Sequence, residues 1–497
     1  MPALRKTSLD KDLRKFQRIE EVTRAAGQGL LAPGVAFVFL AVSALLASLQ
    51  VGAKLDVAVL VIAAVLAGYM ALNIGANDVA NNVGPAVGAR ALTMTGALVI
   101  AAVFESAGAL LAGGDVVRTI SKNIIDPSVV PSASEFIVVM MAALSAAAVW
   151  VNVATWLGAP VSTTHAVVGG VVGAGLVAVG FDAVSWPVLA AIAASWVISP
   201  VMGGVIAAAF LAIIKVNVIY RDDKIAAARA WVPALVAVMA SAFTGYLLTK
   251  GLSHIFKPPP ILIVGLSLGM LVVSYLTLRP LIRRQSEGLE NRNQALRLLF
   301  RIPLICSAAL LSFAHGANDV ANAVGPLAGI LHASETGEVA SKAQIPLWIM
   351  LIGAVGISLG LMLFGPRLIR TVGEKITRMN PIRAFCVALS TAITVIAASG
   401  LGLPVSSTHI AVGAVFGVGF FREYFTTHSV IRRRYLARKG VDDGETRELR
   451  EVSPQDLIRR KLVRRSHFTV IVAAWVITVP ATAALAAGFY FALRVLA

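Results

Sequence analysis

Two nearly identical polar clusters, GANDVANNVGP at residues 75 to 85 and GANDVANAVGP at 316 to 326, interrupt otherwise apolar stretches of the chain. Asn77, Asp78, Asn81, Asn318, Asp319 and Asn322 present carboxylate and amide oxygens, the hard ligands that alkali cations prefer. A second pair, PVSTTH at 160 to 165 and PVSSTH at 404 to 409, follows a proline with Ser162, Thr163 and Thr164 in one copy and Ser406, Ser407 and Thr408 in the other. Proline at a first helical turn with hydroxyls beside it is a capping arrangement, and the free amides of a helix N-terminus bind anions. Two such termini meeting would wrap a tetrahedral oxyanion in neutral donors. Neither pair contains Lys or Arg, so cations must supply the positive charge. Asp78 and Asp319 would repel a bare anion, which makes cation binding precede or accompany it.

The glycines and prolines that bracket the Asp clusters (Gly75, Gly84, Pro85; Gly316, Gly325, Pro326) predict a helix that is unwound or broken there. Asparagines could instead act only as hydrogen-bonding glue between helices, a role that would not need the two aspartates. His165 and His409 are expected to hydrogen-bond the broken backbone. Glu105, in FESAG, has no counterpart in the second copy and is expected to tune coupling or to pair with Arg90 or Arg118. Enzymatic readings lack their parts: His and Cys do not cluster as metal ligands, and a serine-hydrolase reading of Ser and His in one motif leaves the doubling unexplained. Cys306 and Cys386 lie in apolar segments without CxxC spacing and read as packed thiols.

The elements that must position these residues are transmembrane. Of 497 residues, 58% are hydrophobic and 14% charged, too apolar for an ordinary soluble protein. Many runs approach the roughly 20 residues that cross hydrocarbon as a helix. The net charge of +17 does not mark a nucleic-acid binder, because the basic residues sit between apolar runs, where they set orientation. The basic segments (the N-terminal tail, 215 to 229, 279 to 301, 367 to 383 and 422 to 466) are assigned to the cytoplasm, and the N-terminus with them. The first apolar run reads as an uncleaved anchor.

Thirteen hydrophobic units follow from the sequence. The predicted organisation is a basic tail (1 to 30), an extra N-terminal helix (31 to 49), a first repeat (57 to 214), a central hairpin (231 to 279) and a second repeat (302 to 493) with a cytoplasmic loop at 422 to 466. Each repeat has five units. GAPVSTTHAVVG pairs with GLPVSSTHIAVG and WVISP with WVITVP. Seven units separate the starts of the two copies, an odd number, so they face opposite ways. The fold class expected is therefore an all-α polytopic membrane protein, two inverted repeats with broken or re-entrant helices.

With GANDVAN doubled, FESAGALLAGGDVVRTISKNIID at 104 to 126, and P-V-S-[ST]-T-H doubled, the chain resembles the inorganic phosphate transporter (PiT) family of low-affinity phosphate permeases across nearly all of 57 to 493. The resemblance implies import of inorganic phosphate by symport with sodium ions or protons through a homodimer in the plasma membrane, with no prosthetic cofactor. It also implies that Asn77, Asp78, Asn318 and Asp319 form the core of the site, with Ser162, Thr163, Thr164, Ser406, Ser407 and Thr408 as phosphate donors. Asp78, Asn81, Asp319 and Asn322 are the expected cation ligands. A sulfate symporter is the alternative, followed by a channel or a receptor. Phosphate that carries a proton can donate to an ionised Asp, whereas sulfate cannot.

Overall fold

The computed structural model describes residues 30–50, 57–126, 129–251, 257–337, 345–375, 379–439 and 465–496. The described elements are helical, apart from one isolated bridge between Ile125 and Val184. Ten described helices are long and apolar enough to cross a membrane, and Thr163–Ala178 and Leu347–Leu363 are shorter apolar ones. The basic tail through residue 29 lies outside the described residues, as does 440 to 464 of the expected loop. The start of that loop is instead helical, within Ser407–His428 and Val430–Arg438.

The two sequence copies pack reciprocally. Val57–Asn82, which opens the first copy, lies along Leu347–Leu363 of the second; Arg301–Thr336, which opens the second, lies along Met94–Ala112 of the first. Likewise Thr163–Ala178 packs on Arg465–Leu496, and Ser407–His428 on Trp186–Ile214. Small residues make these approaches possible. A Cβ on Gly75 would run into the backbone of Ile357, and one on Gly316 into the backbone of Glu105. In lipid, where apolar side chains gain little from leaving the solvent, close backbone contact is what holds helices together.

This packing corrects one expectation. The Asp clusters are not unwound: Asn73 to Asn82 complete the helix Val57–Asn82, and Arg301–Thr336 runs unbroken through Gly316 and Pro326. Gly75 and Gly316 serve close helix crossing rather than helix breaking. In the first copy the helix does break inside the 75 to 85 stretch, at Val83 beside Gly84 and Pro85, but beyond Asp78 and Asn81 and before the short helix Gly84–Gly88.

The breaks fall at the hydroxyl motifs. Ala133–Leu157 stops at Gly158, whose φ of 71° is the left-handed conformation that glycine adopts without penalty, and Thr163–Ala178 begins after five non-helical residues, 158 to 162. Pro381–Gly400 gives way in the same manner, with Gly402 at φ 70°, before Ser407–His428 begins.

Candidate functional site

Ser162 and Ser406 are the N-caps of the two restarting helices. Each hydroxyl accepts from the backbone N–H of the histidine three residues on, at 3.1 Å from His165 and 3.3 Å from His409. A hydroxyl that accepts this way keeps its own proton to donate. The histidine rings meet each other with centroids 4.3 Å apart, and His165 also packs on Trp196 at 3.8 Å.

The hydroxyls that follow the caps converge on the aspartates, and they do so across the two copies. Asp78 receives Thr163 from its own copy at 3.1 Å and Thr408 from the other at 3.0 Å. Asp319 receives Ser407 at 3.1 Å. Asn81 donates to the Thr408 hydroxyl at 2.8 Å, and Asn322 donates to Thr164 at 3.1 Å and Thr163 at 3.4 Å. Thr164 in turn donates to the carbonyl of Val405, at 3.0 Å. Each copy thus hydrogen-bonds the other's restarted helix.

Asn77 and Asn318 have a matched positioning role. Asn77 donates to Thr155 and the Ala159 carbonyl, and Asn318 to Ser399 and the Leu403 carbonyl. Both fasten the end of the incoming helix and the start of the break to the Asp-bearing helix. Asn77, Asp78, Asn318, Asp319 and Asn322 are buried, as are all six motif hydroxyls; Asn81 is partly exposed. The structure therefore gathers every sequence-predicted site residue into one buried region.

Two residues complete the site that the sequence reading did not single out. His315 lies with Nε2 2.7 Å from Asp319 and 3.9 Å from Asp78, and with Nδ1 3.2 Å from Glu105. Asn82 donates to Glu105 at 2.8 Å. The expected pairing of Glu105 with Arg90 or Arg118 is thus incorrect. Glu105 faces the Asp319 helix at the point where Gly316 brings the two backbones together, whereas Arg90 and Arg118 are exposed and Arg118 pairs with Asp115. Both newcomers sit where the copies differ: Ile74 occupies the place of His315 in the first copy, and Ala323 that of Asn82 in the second.

Three buried carboxylates (Asp78, Glu105 and Asp319) therefore surround one imidazole, and among the described residues His315 is the sole ion-pair partner of all three. Fully ionised, they carry a net charge of at least −2 even with His315 protonated. Asp319 Oδ1 and the side-chain oxygens of Asn77, Asn82 and Asn322 are buried acceptors without a hydrogen-bond donor. Buried acceptors of this kind carry a desolvation penalty that a cation removes. Ligand atoms of Asp78, His315 and Asp319 lie within 4.8 Å of one another, close enough to share an ion. Hydroxyl donors and oxygen acceptors suited to a hard cation thus share one buried cluster.

The sequence model of the phosphate transporter family matches residues 74–486. A relative in Helicobacter pylori strain J99, named "Putative phosphate permease", is 43% identical over 97% of this chain and 98% of its own length. A Pyrococcus abyssi protein named likewise is 36% identical over 73% of this chain and 89% of that relative. Among solved structures, one titled "The sodium-dependent phosphate transporter" superimposes with a TM-score of 0.77 at 35% identity, covering 88% of this chain and 100% of that one.

Proposed function

The chain belongs to the phosphate transporter family and is a multi-pass membrane permease for phosphate; from that premise we propose that it imports inorganic phosphate by symport with monovalent cations, through alternating access between its two copies. The observation that carries this reading is the crossing of the copies at Asp78, where Thr163 and Thr408 donate to the same carboxylate. A pocket built from both copies is rearranged whenever one moves against the other, which is what alternating access between inverted repeats requires.

Electrostatics accounts for coupling. Phosphate enters a site that already holds more negative than positive charge and has no lysine or arginine to offset it. Cations at Asp78, Asn81, Asp319 and Asn322 neutralise the site and turn the Thr163, Thr164, Ser407 and Thr408 hydroxyls toward the anion. Without them, carrying a dianion inward against 100 mV costs roughly 4.6 kcal/mol, and two monovalent cations cancel that term. The neighbour titled as sodium-dependent favours sodium over protons as the coupling ion. In this reading the protein works as a homodimer in the plasma membrane, N-terminus inside, with phosphate, the coupling cation and lipid as its partners.

Phosphate is preferred to sulfate because Asp78 and Asp319 can accept from a phosphate hydroxyl. The test is radiolabelled phosphate uptake into proteoliposomes under an imposed sodium gradient, a proton gradient or none, with sulfate as competitor. Accumulation under one gradient, resistant to sulfate, is expected. Equal flux under all three conditions would leave a channel, and binding without flux a receptor.

A further inference from the structure

We propose that this protein holds an anionic phospholipid in a cavity between its N-terminal helix and the transport core, with Arg367 at the headgroup. Leu30–Leu49 touches the core along a narrow face: Phe39, Ser43 and Ala47 are buried, whereas Leu31, Phe37 and Val38 are exposed. Phe39 wedges between Gly68 and Gly356, where an added Cβ would meet its ring. Beside this wedge lies a cavity of about 490 Å³, with Phe37, Leu40, Tyr69 and Trp156 on its walls and Arg367 on its rim. That volume suits part of an amphiphile.

The polar groups at the cavity floor point to a lipid rather than a free anion. Asn152 donates to Asn73 at 3.0 Å, Asn73 donates to the Tyr69 carbonyl at 3.0 Å, and Thr155 donates to the Val151 carbonyl at 2.7 Å. Each amide keeps one further N–H, but most of the lining is apolar, Ala36, Phe37, Leu40, Leu72, Phe364 and Leu368 among it, so the cavity offers a guest an apolar wall with the guanidinium as its charged group. A guanidinium has five N–H donors, so it takes a phosphodiester alongside any protein partner. Arg367 belongs to Gly365–Lys375, in which Leu368 and Ile369 are buried and Arg367 and Arg370 exposed. That is the pattern of a helix lying at the membrane interface, where anionic headgroups reside. Thr155 both lines the cavity and accepts the hydrogen bond from Asn77, so the lipid rests one side chain from the transport site.

The test is lipid retention by the full chain, exchanged into nanodiscs of equal parts phosphatidylglycerol and phosphatidylcholine and analysed by native mass spectrometry after detergent release. Wild type should retain phosphatidylglycerol selectively, with or without excess inorganic phosphate. Arg367→Gln should lower that selectivity about fivefold, Ala36→Trp should weaken retention by occupying part of the cavity, and Arg279→Gln, an exposed arginine that does not line it, should match wild type. Equal retention in wild type and Arg367→Gln, or displacement of the lipid by inorganic phosphate, would overturn the proposal. The readout is lipid binding, so it stands or falls independently of cation coupling.

Discussion

Asp319→Asn isolates charge from shape. The substitution keeps the side-chain volume and one oxygen but removes the negative charge opposite His315, 2.7 Å away, and alters the acceptor that Ser407 uses at 3.1 Å. It also changes an oxygen, Oδ1, that is buried without a donor and open to a cation. If that charge holds one coupling cation, the variant moves phosphate with one positive charge fewer. Each charge carried across 100 mV is worth about 2.3 kcal/mol. At about 1.4 kcal/mol per tenfold, the steady-state phosphate gradient should fall about fifty-fold. The assay is radiolabelled phosphate accumulation in proteoliposomes held at a fixed inside-negative potential, followed to plateau rather than read as an initial rate. Thermal unfolding in detergent establishes that the variant is folded. A plateau equal to wild type would refute the assignment of Asp319 as a coupling ligand, however slow the uptake.

Other substitutions probe the supporting contacts. Glu105→Gln keeps the hydrogen bond from Asn82 but removes one charge from a buried cluster that is already net negative, while His315 still pairs with Asp319 at 2.7 Å; stability should hold or rise, and the gain should be larger in combination with His315→Gln. A cycle with no coupling between the two would show that their 3.2 Å contact carries no energy. Gly316→Ala places a methyl against the backbone of Glu105 and should cost at least about 1 to 3 kcal/mol, read as a lowered unfolding midpoint; unchanged stability would mean that the helices part freely. Thr408→Val removes the donor to Asp78 and the acceptor for Asn81 at once. It should raise the phosphate concentration for half-maximal uptake at least tenfold, from about 1.5 to 3 kcal/mol for a hydrogen bond to a charged group, whereas an unaltered value would place Thr408 outside the site.

What the sequence disclosed, and what it hid, follows from where the two copies agree. The doubled motifs made the polar residues stand out, and apolar runs of spanning length made the helices legible. Agreement between copies, however, drew the reading toward shared residues. His315 and Asn82 lie in positions filled by Ile74 and Ala323 in the opposite copy, and so the partners of Glu105 went unnoticed although His315 directly precedes one motif and Asn82 lies inside the other. The expected unwinding at Gly75 and Gly316 failed for a different reason. Glycine in a helix signals either a break or a close crossing, and the deciding information, the backbones of Ile357 and Glu105 against them, comes from residues hundreds of positions away. Proline gave a similar ambiguity: Pro326 stays inside a continuous helix, while Pro160 and Pro404 precede helix starts.

The most direct measurement of the central claim is equilibrium binding of phosphate to the purified protein as a function of coupling cation, by titration calorimetry in sodium against a bulky inert cation, at two proton concentrations. The account predicts that phosphate affinity rises at least tenfold with sodium or with protons, and that Asp78→Asn combined with Asp319→Asn erases the dependence. Phosphate that binds equally well whatever cation is present would contradict it.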